Sequence, residues 1–371
     1  MNSLKPALHR WHVLCSMKIR VRHPKFYIMS RVSVIQNFII IASHTFSSGK
    51  GNISKNLSGK SLKAVPYILV VLILFIAGCA GGGNTISETP TSGDIKILVD
   101  ESFKPLIETE VNTFLGLYEN AKIKPVYKPE VDIVNDFMKD SANVMVTSWK
   151  LTDDQVKYLR DTLIVARTAT VAWDALALII NRSNPDSLIK FDEVRDIFTG
   201  KLTGWNEINP KSRLGKIRVI FDNTKSGNIR YFKERFDLKG SLPDNFFSKT
   251  SNAEVVDFVA SNIDALGIVS ANWISDKDDP LSNSFNKRIK VVAVSQPYVD
   301  ENSYYRPKQG NIYDKSYPFV REIYLISRET FYGLGSGFMN WACAEQGQRI
   351  VLKSGLVPAT MPIRLVQIKH Q

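Results

Sequence analysis

Three stretches of the sequence place a small hydroxyl residue where a strand runs into a helix, an arrangement that suits anion binding. They are Glu101-Ser102-Phe103, Thr147-Ser148-Trp149 and Ser226-Gly227-Asn228. The first turn of a helix presents unpaired backbone N–H groups and the positive end of the helix dipole. A serine at such a position is more often only the N-cap of its helix, so each stretch taken singly has a second explanation.

Charged and aromatic residues flank these three junctions and extend the candidate site. Trp149 could stack on a ligand or simply fill the wall of the site, and Lys150 follows it. Arg230 could reach a ligand or could be a solvated helix residue. The full set of candidate ligand-binding residues is Glu101, Ser102, Phe103, Ser148, Trp149, Lys150, Asp222, Ser226, Gly227, Asn228 and Arg230.

Short apolar runs alternate with amphipathic stretches along the body of the chain, which predicts an α/β fold with mostly parallel strands. Predicted strands cover residues 95–99, 123–127, 143–147, 175–180, 217–221, 268–270, 289–294 and 321–327. Predicted helices cover residues 104–118, 131–139, 190–197, 229–236, 251–262 and 336–354. Gly200 is expected to end its helix in the left-handed conformation, and Trp205 begins a turn.

The charge distribution excludes a basic nucleic-acid-binding face. The formal charge of +12 arises before Cys79, where 11 basic residues stand with no acidic one, so the remainder carries 37 basic and 36 acidic residues. Only one of the five histidines, His370, lies after Cys79. The body therefore lacks the residues for a histidine relay or a histidine-rich metal site, and no cofactor is expected. An enzyme is the least favoured function class.

The sequence before residue 94 reads as a leader and an anchor. A basic segment, an apolar run from Val65 to Ile76 and the small residues Ala77-Gly78 precede Cys79. This pattern resembles the bacterial lipoprotein signal, whose cysteine is lipidated. We expect residues 1–58 to be an upstream extension of the reading frame, 59–78 the signal peptide and 79–93 a flexible tether.

Several motifs resemble one family, the phosphate-type periplasmic substrate-binding proteins of ABC importers. The most specific is Asp196-Ile197-Phe198-Thr199-Gly200-Lys201 followed by Trp205. Further matching segments lie at residues 265–270, 317–324, 345–348 and 355–358. The resemblance extends over about residues 94–360 and places the three serine junctions at the ligand loops of that family.

The resemblance implies the two-lobed periplasmic binding protein fold of type II, with a cleft between the lobes. Lobe 1 would combine residues 94–173 and 295–371, and lobe 2 would cover 174–294. It further implies capture of phosphate or a similar oxyanion, delivery to an ABC permease, and a location outside the cytoplasm on a bacterial membrane, held there through lipidated Cys79.

The ligand loops depart from the family pattern. Asn228, Ile229 and Asp222 stand where the family has Thr, Arg and a further Arg, and Trp149 follows Ser148 where it often has Arg. The Asp that accepts a proton from hydrogen phosphate in some members is missing, so Asp222 or Glu101 could substitute. The alternative function is a sensor or scaffold lipoprotein that uses the same fold for a different ligand.

Overall fold

A mixed sheet of ten strands runs through the described part of the chain. The computed structural model describes residues 88–297 and 303–362, which fall in one compact unit, Asn84–Gln371. Strands of the large sheet follow the order β2-β1-β3-β12-β4-β8-β6-β7, with β9 and β13 also paired to β4. A small sheet has the order β11-β10-β5. The strands are β1 Gly93–Asp100, β2 Ala121–Lys128, β3 Val144–Thr147, β4 Arg167–Asn181, β5 Leu188–Ile189, β6 Arg218–Phe221, β7 Phe246–Ser248, β8 Ala265–Ser270, β9 Ile289–Val291, β10 Ala293–Ser295, β11 Tyr304–Tyr305, β12 Val320–Ser327 and β13 Val357–Pro358.

Helices connect the strands, and the predicted α/β fold is confirmed. Two 3₁₀ turns, Glu101–Phe103 and Ala271–Trp273, directly follow β1 and β8. The α-helices are α1 Lys104–Leu117, α2 Glu130–Met138, α3 Asp153–Asp161, α4 Phe191–Phe198, α5 Trp205–Ile208, α6 Gly227–Arg235, α7 Asn252–Ser261, α8 Pro280–Arg288, α9 Gln309–Tyr313, α10 Leu334–Cys343 and α11 Glu345–Lys353. Gly200 follows α4 at φ +74°, as expected.

Strand β4 connects the two halves of the large sheet. Its first part, Arg167–Ala175, pairs with β12, and its second part, Leu176–Asn181, pairs with β8 and β9. The predicted strand at 175–180 is fully buried, as a run without alternation requires. All these partners run antiparallel to β4, so the sheet is mixed rather than mostly parallel. The predicted division into two lobes stays a prediction.

Local differences from the predicted elements have simple causes. The predicted helix 336–354 is two helices, because Ala344 adopts an extended conformation between them. A Cβ on Gly347 would lie 2.5 Å from the backbone of Ala342, so glycine permits this close approach. The predicted turn at Trp205 is the short helix α5, with the indole buried.

The predicted tether also ends earlier than residue 93. Glu88 accepts a hydrogen bond from Leu334 N, and a Cβ on Gly337 would collide with the carbonyl of Pro90, so this segment packs on α10. Gly93 already belongs to β1. The predicted extension, signal peptide and lipidation at Cys79 lie outside the described residues.

Helix α1 buries an acid whose pKa is strongly shifted. Neither carboxyl oxygen of Glu110 has a hydrogen-bond partner among the described residues, and burial raises the pKa of Glu110 to about 9. The folded protein therefore holds a proton that the unfolded chain releases above its ordinary pKa of about 4.5. It follows that Glu110 lowers the free energy of unfolding as pH rises from about 4.5 to 9.

We therefore predict that Glu110→Gln stabilises the protein by about 2–4 kcal/mol at pH 8 and has little effect near pH 4, because glutamine needs no proton to stay neutral. Urea unfolding followed by circular dichroism across this pH range measures the difference. The matched control is Glu108→Gln on the same helix, where the side chain is half exposed. A Glu110→Gln effect that does not change with pH would contradict the prediction.

Candidate functional site

The register of the sheet brings the predicted junctions to one edge. Strand β1 pairs in parallel with both β2 and β3, so these three strands end side by side at Asp100, Lys128 and Thr147. Strands β6 and β8 are likewise parallel neighbours in the other half of the sheet. The carboxyl ends of parallel strands, where helices begin, are the usual ligand edge of α/β proteins.

The first junction contacts the third directly. Asp100 Oδ1 accepts a hydrogen bond from Ser102 N at 3.0 Å and so caps the 3₁₀ turn. Ser102 Oγ donates to Asn228 Oδ1 at 3.2 Å, across 126 residues of sequence. Phe103 is fully buried beneath Arg321, whose guanidinium carbon lies 4.7 Å from the ring centroid. The structure therefore brings two predicted junctions together and adds Arg321 to them.

The second junction surrounds the carboxylate of Glu130, the first residue of α2. Glu130 Oε1 accepts hydrogen bonds from Thr147 Oγ1 at 2.9 Å, Ser148 N at 3.0 Å and Ser148 Oγ at 2.7 Å. Arg230 completes the shell, with Nε 2.5 Å from Oε2 and Nη2 3.2 Å from Oε1. The fully buried carboxylate of Glu130 is thus hydrogen-bonded to the hydroxyl, the N–H and the guanidinium that were expected to bind an anion.

The third junction is a helix cap supported by two acids. Ser226 Oγ donates to Asp222 Oδ1 at 2.7 Å and accepts from Ile229 N at the start of α6. Asn252 Nδ2 donates to Glu101 Oε2 at 2.6 Å. Asp222 and Glu101 therefore already accept hydrogen bonds from the protein.

Arg321 carries buried donors with no partner among the described residues. Its Nε donates to Asp174 Oδ2 at 2.9 Å, but neither Nη1 nor Nη2 has a hydrogen-bond partner in the described part of the chain. The side chain of Arg321 is only 4% exposed. Asp100 Oδ2 is also buried and has no hydrogen-bond partner among the described residues. Because buried polar groups are nearly always paired, these atoms indicate a ligand position.

Acids outnumber bases in this region, which we call the junction cluster. It contains five carboxyl groups and two guanidinium groups, namely Asp100, Glu101, Glu130, Asp174, Asp222, Arg230 and Arg321. Burial raises the pKa of Asp100 well above its usual value, and the nearby charge of Glu130 adds to this shift. Burial also raises the pKa values of Asp174 and Asp222, and that of Glu101 to about 7.

Glu130 is the exception among these acids. Burial alone would raise its pKa, but the charge and hydrogen bonds of Arg230 and the hydrogen bond of Ser148 lower the pKa below its usual value. The surroundings of Glu130 therefore favour its charged form, whereas burial disfavours the charged forms of its neighbours. Among the described residues, no group of three or more histidine, cysteine or acidic side chains is arranged to hold a metal ion.

The predicted residues divide into those near this carboxylate and one that is apart. Ten of the eleven belong to the junction cluster or lie beside it, and Trp149 packs against Arg230, with the guanidinium carbon 5.2 Å from its ring centroid. Lys150 is exposed and makes no ion pair or hydrogen bond with another described residue. Arg230 lies in the site rather than on a solvated helix face, because its side chain is 19% exposed.

Sequence reasoning missed several members of the cluster. Glu130 follows Pro129 at a fourth strand-to-helix junction, which could have been noticed but lacks a hydroxyl or glycine residue. Arg321 lies within the matching segment 317–324, but Glu322 follows it in the same strand, so its charge alone gave no signal. Asn252 and Asn272, whose Nδ2 donates to the carbonyl oxygen of Ser102 at 3.1 Å, had no local signal. A separate surface hollow of about 1050 Å³ beside Lys216 and Lys239 contains none of the predicted residues.

Gly227, the first residue of α6, lies where side-chain oxygens of the site come closest to the backbone. A Cβ at this position would be 2.8 Å from Asp100 Oδ2, 2.9 Å from Glu130 Oε1 and 2.9 Å from Ser148 Oγ.

We predict that Gly227→Ala destabilises the protein by about 1–3 kcal/mol, because buried neighbours must shift. Urea unfolding measures this change. As a control, Gly116→Ala on α1, where a Cβ meets nothing within 4 Å, should be neutral or stabilising. Equal stability of the two variants would contradict the prediction.

Comparisons with known proteins identify the family of the chain. Residues 84–346 match the family model described as a PBP superfamily domain. The phosphate-binding protein PstS of Staphylococcus saprophyticus is 23% identical over 270 residues, covering 72% of this chain and 80% of that protein. PstS of Pseudomonas aeruginosa is 20% identical over 332 residues, covering 81% and 98%.

Solved structures show the same fold. A putative phosphate ABC transporter substrate-binding protein from Clostridium perfringens, with bound phosphate, has a TM-score of 0.61 and 22% identity, covering 72% of this chain and all of that chain. An ABC-type phosphate transport receptor from Vibrio cholerae has a TM-score of 0.55 and 18% identity, with the same coverage. The family model covers well over half of the sequence, and the chain therefore belongs to the PBP superfamily of binding proteins.

Proposed function

We propose that this protein captures phosphate, or a similar oxyanion, and passes it to an ABC importer. The observation that carries the proposal is the pair of unpartnered, buried Arg321 donors beside the helix junctions of Ser102 and Asn228. A planar guanidinium edge suits two oxygens of a tetrahedral anion. The relatives named as phosphate-binding proteins support the same ligand.

Asp100 supplies a reason to favour phosphate over sulfate. Its Oδ2 has no hydrogen-bond partner among the described residues, and phosphate carries a proton at neutral pH that fully ionised sulfate lacks. Asp222 and Glu101, the candidates offered by the sequence, already accept hydrogen bonds from Ser226 and Asn252. Asp100 is therefore the acceptor we assign to the proton of the ligand.

The delivery steps follow from the family and from the leader. In this proposal Cys79 is lipidated, the body lies outside the cytoplasm, and an ABC permease receives the ligand. The relatives are named as binding proteins rather than enzymes, which favours a binding role without catalysis. Within the described residues, no helix has both the length and the apolar character to cross a bilayer.

One observation favours the alternative function, a sensor or scaffold with a different ligand. Glu130 holds donors expected to bind the oxyanion, and the cluster has an excess of acids. A further dianion would be repelled unless acids are protonated or move. The two functions differ in whether the folded protein binds phosphate.

We predict that the full-length protein, unfolded and refolded to remove carried-over ligand, binds phosphate in isothermal titration and binds sulfate at least ~10-fold more weakly. Absence of heat with both anions, from a protein with native circular dichroism, would refute the phosphate function and favour the sensor or scaffold.

Arg321→Lys should weaken phosphate binding at least ~10-fold, since lysine keeps the charge but loses the two-pronged geometry. The matched control is Arg328→Lys. Arg328 is also buried, but its donors serve the carbonyl of Phe137 and an ion pair with Asp140, at the other end of α2. Unchanged phosphate affinity in Arg321→Lys would show that the ligand binds elsewhere.

A further inference from the structure

Glu130 has the surroundings of a bound ligand rather than those of a helix-capping residue. Five hydrogen bonds converge on its two carboxyl oxygens, from Thr147, Ser148 and Arg230. The carboxylate contributes nothing to the cap of its own helix, where Val131 N instead donates to the carbonyl of Lys225 at 3.1 Å. The shell around Glu130 is therefore an oxyanion subsite, and a side chain of the same protein fills it.

Two of the three donor residues of this subsite are residues that the sequence analysis predicts to bind the ligand. Ser148 and Arg230 belong to the candidate set, and each contacts the other as well, with Arg230 Nη2 3.1 Å from Ser148 Oγ. A carboxylate and a phosphate group offer such donors the same chemistry, namely negatively charged oxygens at hydrogen-bonding distance. Both cannot occupy one set of donors at once.

Resting on the proposed function, we propose that Glu130 is an intramolecular competitor of the ligand: it occupies the oxyanion subsite of Thr147, Ser148 and Arg230 and must leave before an anion binds there. Ligand binding is then an exchange of one anion for another. The apparent affinity is then the intrinsic affinity multiplied by the fraction of molecules in which Glu130 has left the subsite.

The unpartnered groups nearby are a second, independent sign that the ligand position adjoins Glu130. The charge of Arg321 acts on both Asp100 and Glu130. Both acids also approach Gly227, where a Cβ would lie 2.8 Å from Asp100 Oδ2 and 2.9 Å from Glu130 Oε1. An anion on the free nitrogens of Arg321 therefore enters the immediate surroundings of the Glu130 carboxylate. Repulsion between the two favours the displaced position of Glu130.

The test compares anion binding by the full-length wild type, Glu130→Ala and Glu130→Gln. Isothermal titration with phosphate should show at least ~10-fold tighter binding by Glu130→Ala, because the competitor is gone and the competent state is fully populated. Glu130→Gln keeps the size of the side chain and removes its charge, so it should bind phosphate more tightly than wild type as well. Circular dichroism checks that each variant is folded.

The matched control is Glu234→Gln. Glu234 Oε2 contacts Nη1 of the same Arg230 at 2.8 Å, but from the solvent side, with 63% of its side chain exposed. This variant removes one negative charge next to Arg230 and leaves the subsite filled. Its phosphate affinity should stay within about twofold of wild type, because exposed ion pairs interact weakly.

Acetate provides a readout that does not depend on phosphate. Sodium acetate supplies the carboxylate that Glu130→Ala lacks, so it should raise the melting temperature of this variant and leave wild type unchanged. Sodium chloride at equal ionic strength controls for a general salt effect. If Glu130→Ala folds only when acetate or phosphate is present, that dependence is the same result in a stronger form.

The outcomes separate this inference from the proposed function. Wild type that binds phosphate, with Glu130 variants that gain no affinity for either anion, overturns the role of Glu130 and leaves phosphate capture intact. Wild type that binds no phosphate, with Glu130→Ala that binds phosphate or acetate, overturns phosphate capture and supports Glu130 as the occupant. Loss of all anion binding in wild type and variants overturns both.

Discussion

The ion pair between Glu130 and Arg230 is the contact on which the candidate site depends. It joins the first turn of α2 to α6, across 100 residues of sequence, and the Glu130 side chain is completely buried. Removing one partner of such a pair leaves an uncompensated buried charge, which costs about 3–5 kcal/mol. An anion that replaces the carboxylate would keep Arg230 paired, which suits the proposed binding of an oxyanion.

The sheet explains why so many acids gather at one edge. Parallel strands β1, β2 and β3 end together, and the antiparallel pairing of β4 with β12 sets Asp174 beside Arg321. Helix starts can stabilise negative charge, but they do not neutralise five carboxyl groups. Burial raises the pKa values of Asp100, Asp174 and Asp222 and so disfavours their charged forms. Only Glu130, with Arg230 against it, keeps its charge firmly.

Much of this could be predicted from sequence because the signals are local. Ser102, Ser148 and Ser226 each separate a strand from a helix, and the structure places all three in the cluster. Glu130 escaped notice because acids are common in the first turn of any helix, where the dipole favours them. Arg321 escaped because its burial depends on the pairing of β12 with β4, which no local pattern specifies. The mixed direction of the sheet depends on the same long-range pairing.

A crystal structure of the protein grown with phosphate tests the central claim most directly, since it locates the ligand and Glu130 together. The account predicts phosphate oxygens on the terminal nitrogens of Arg321 and within the shell of Ser148 and Arg230, with the Glu130 carboxylate moved out of that shell. Phosphate bound at another place, or bound here while Glu130 keeps its hydrogen bonds to Ser148 and Arg230, would contradict it.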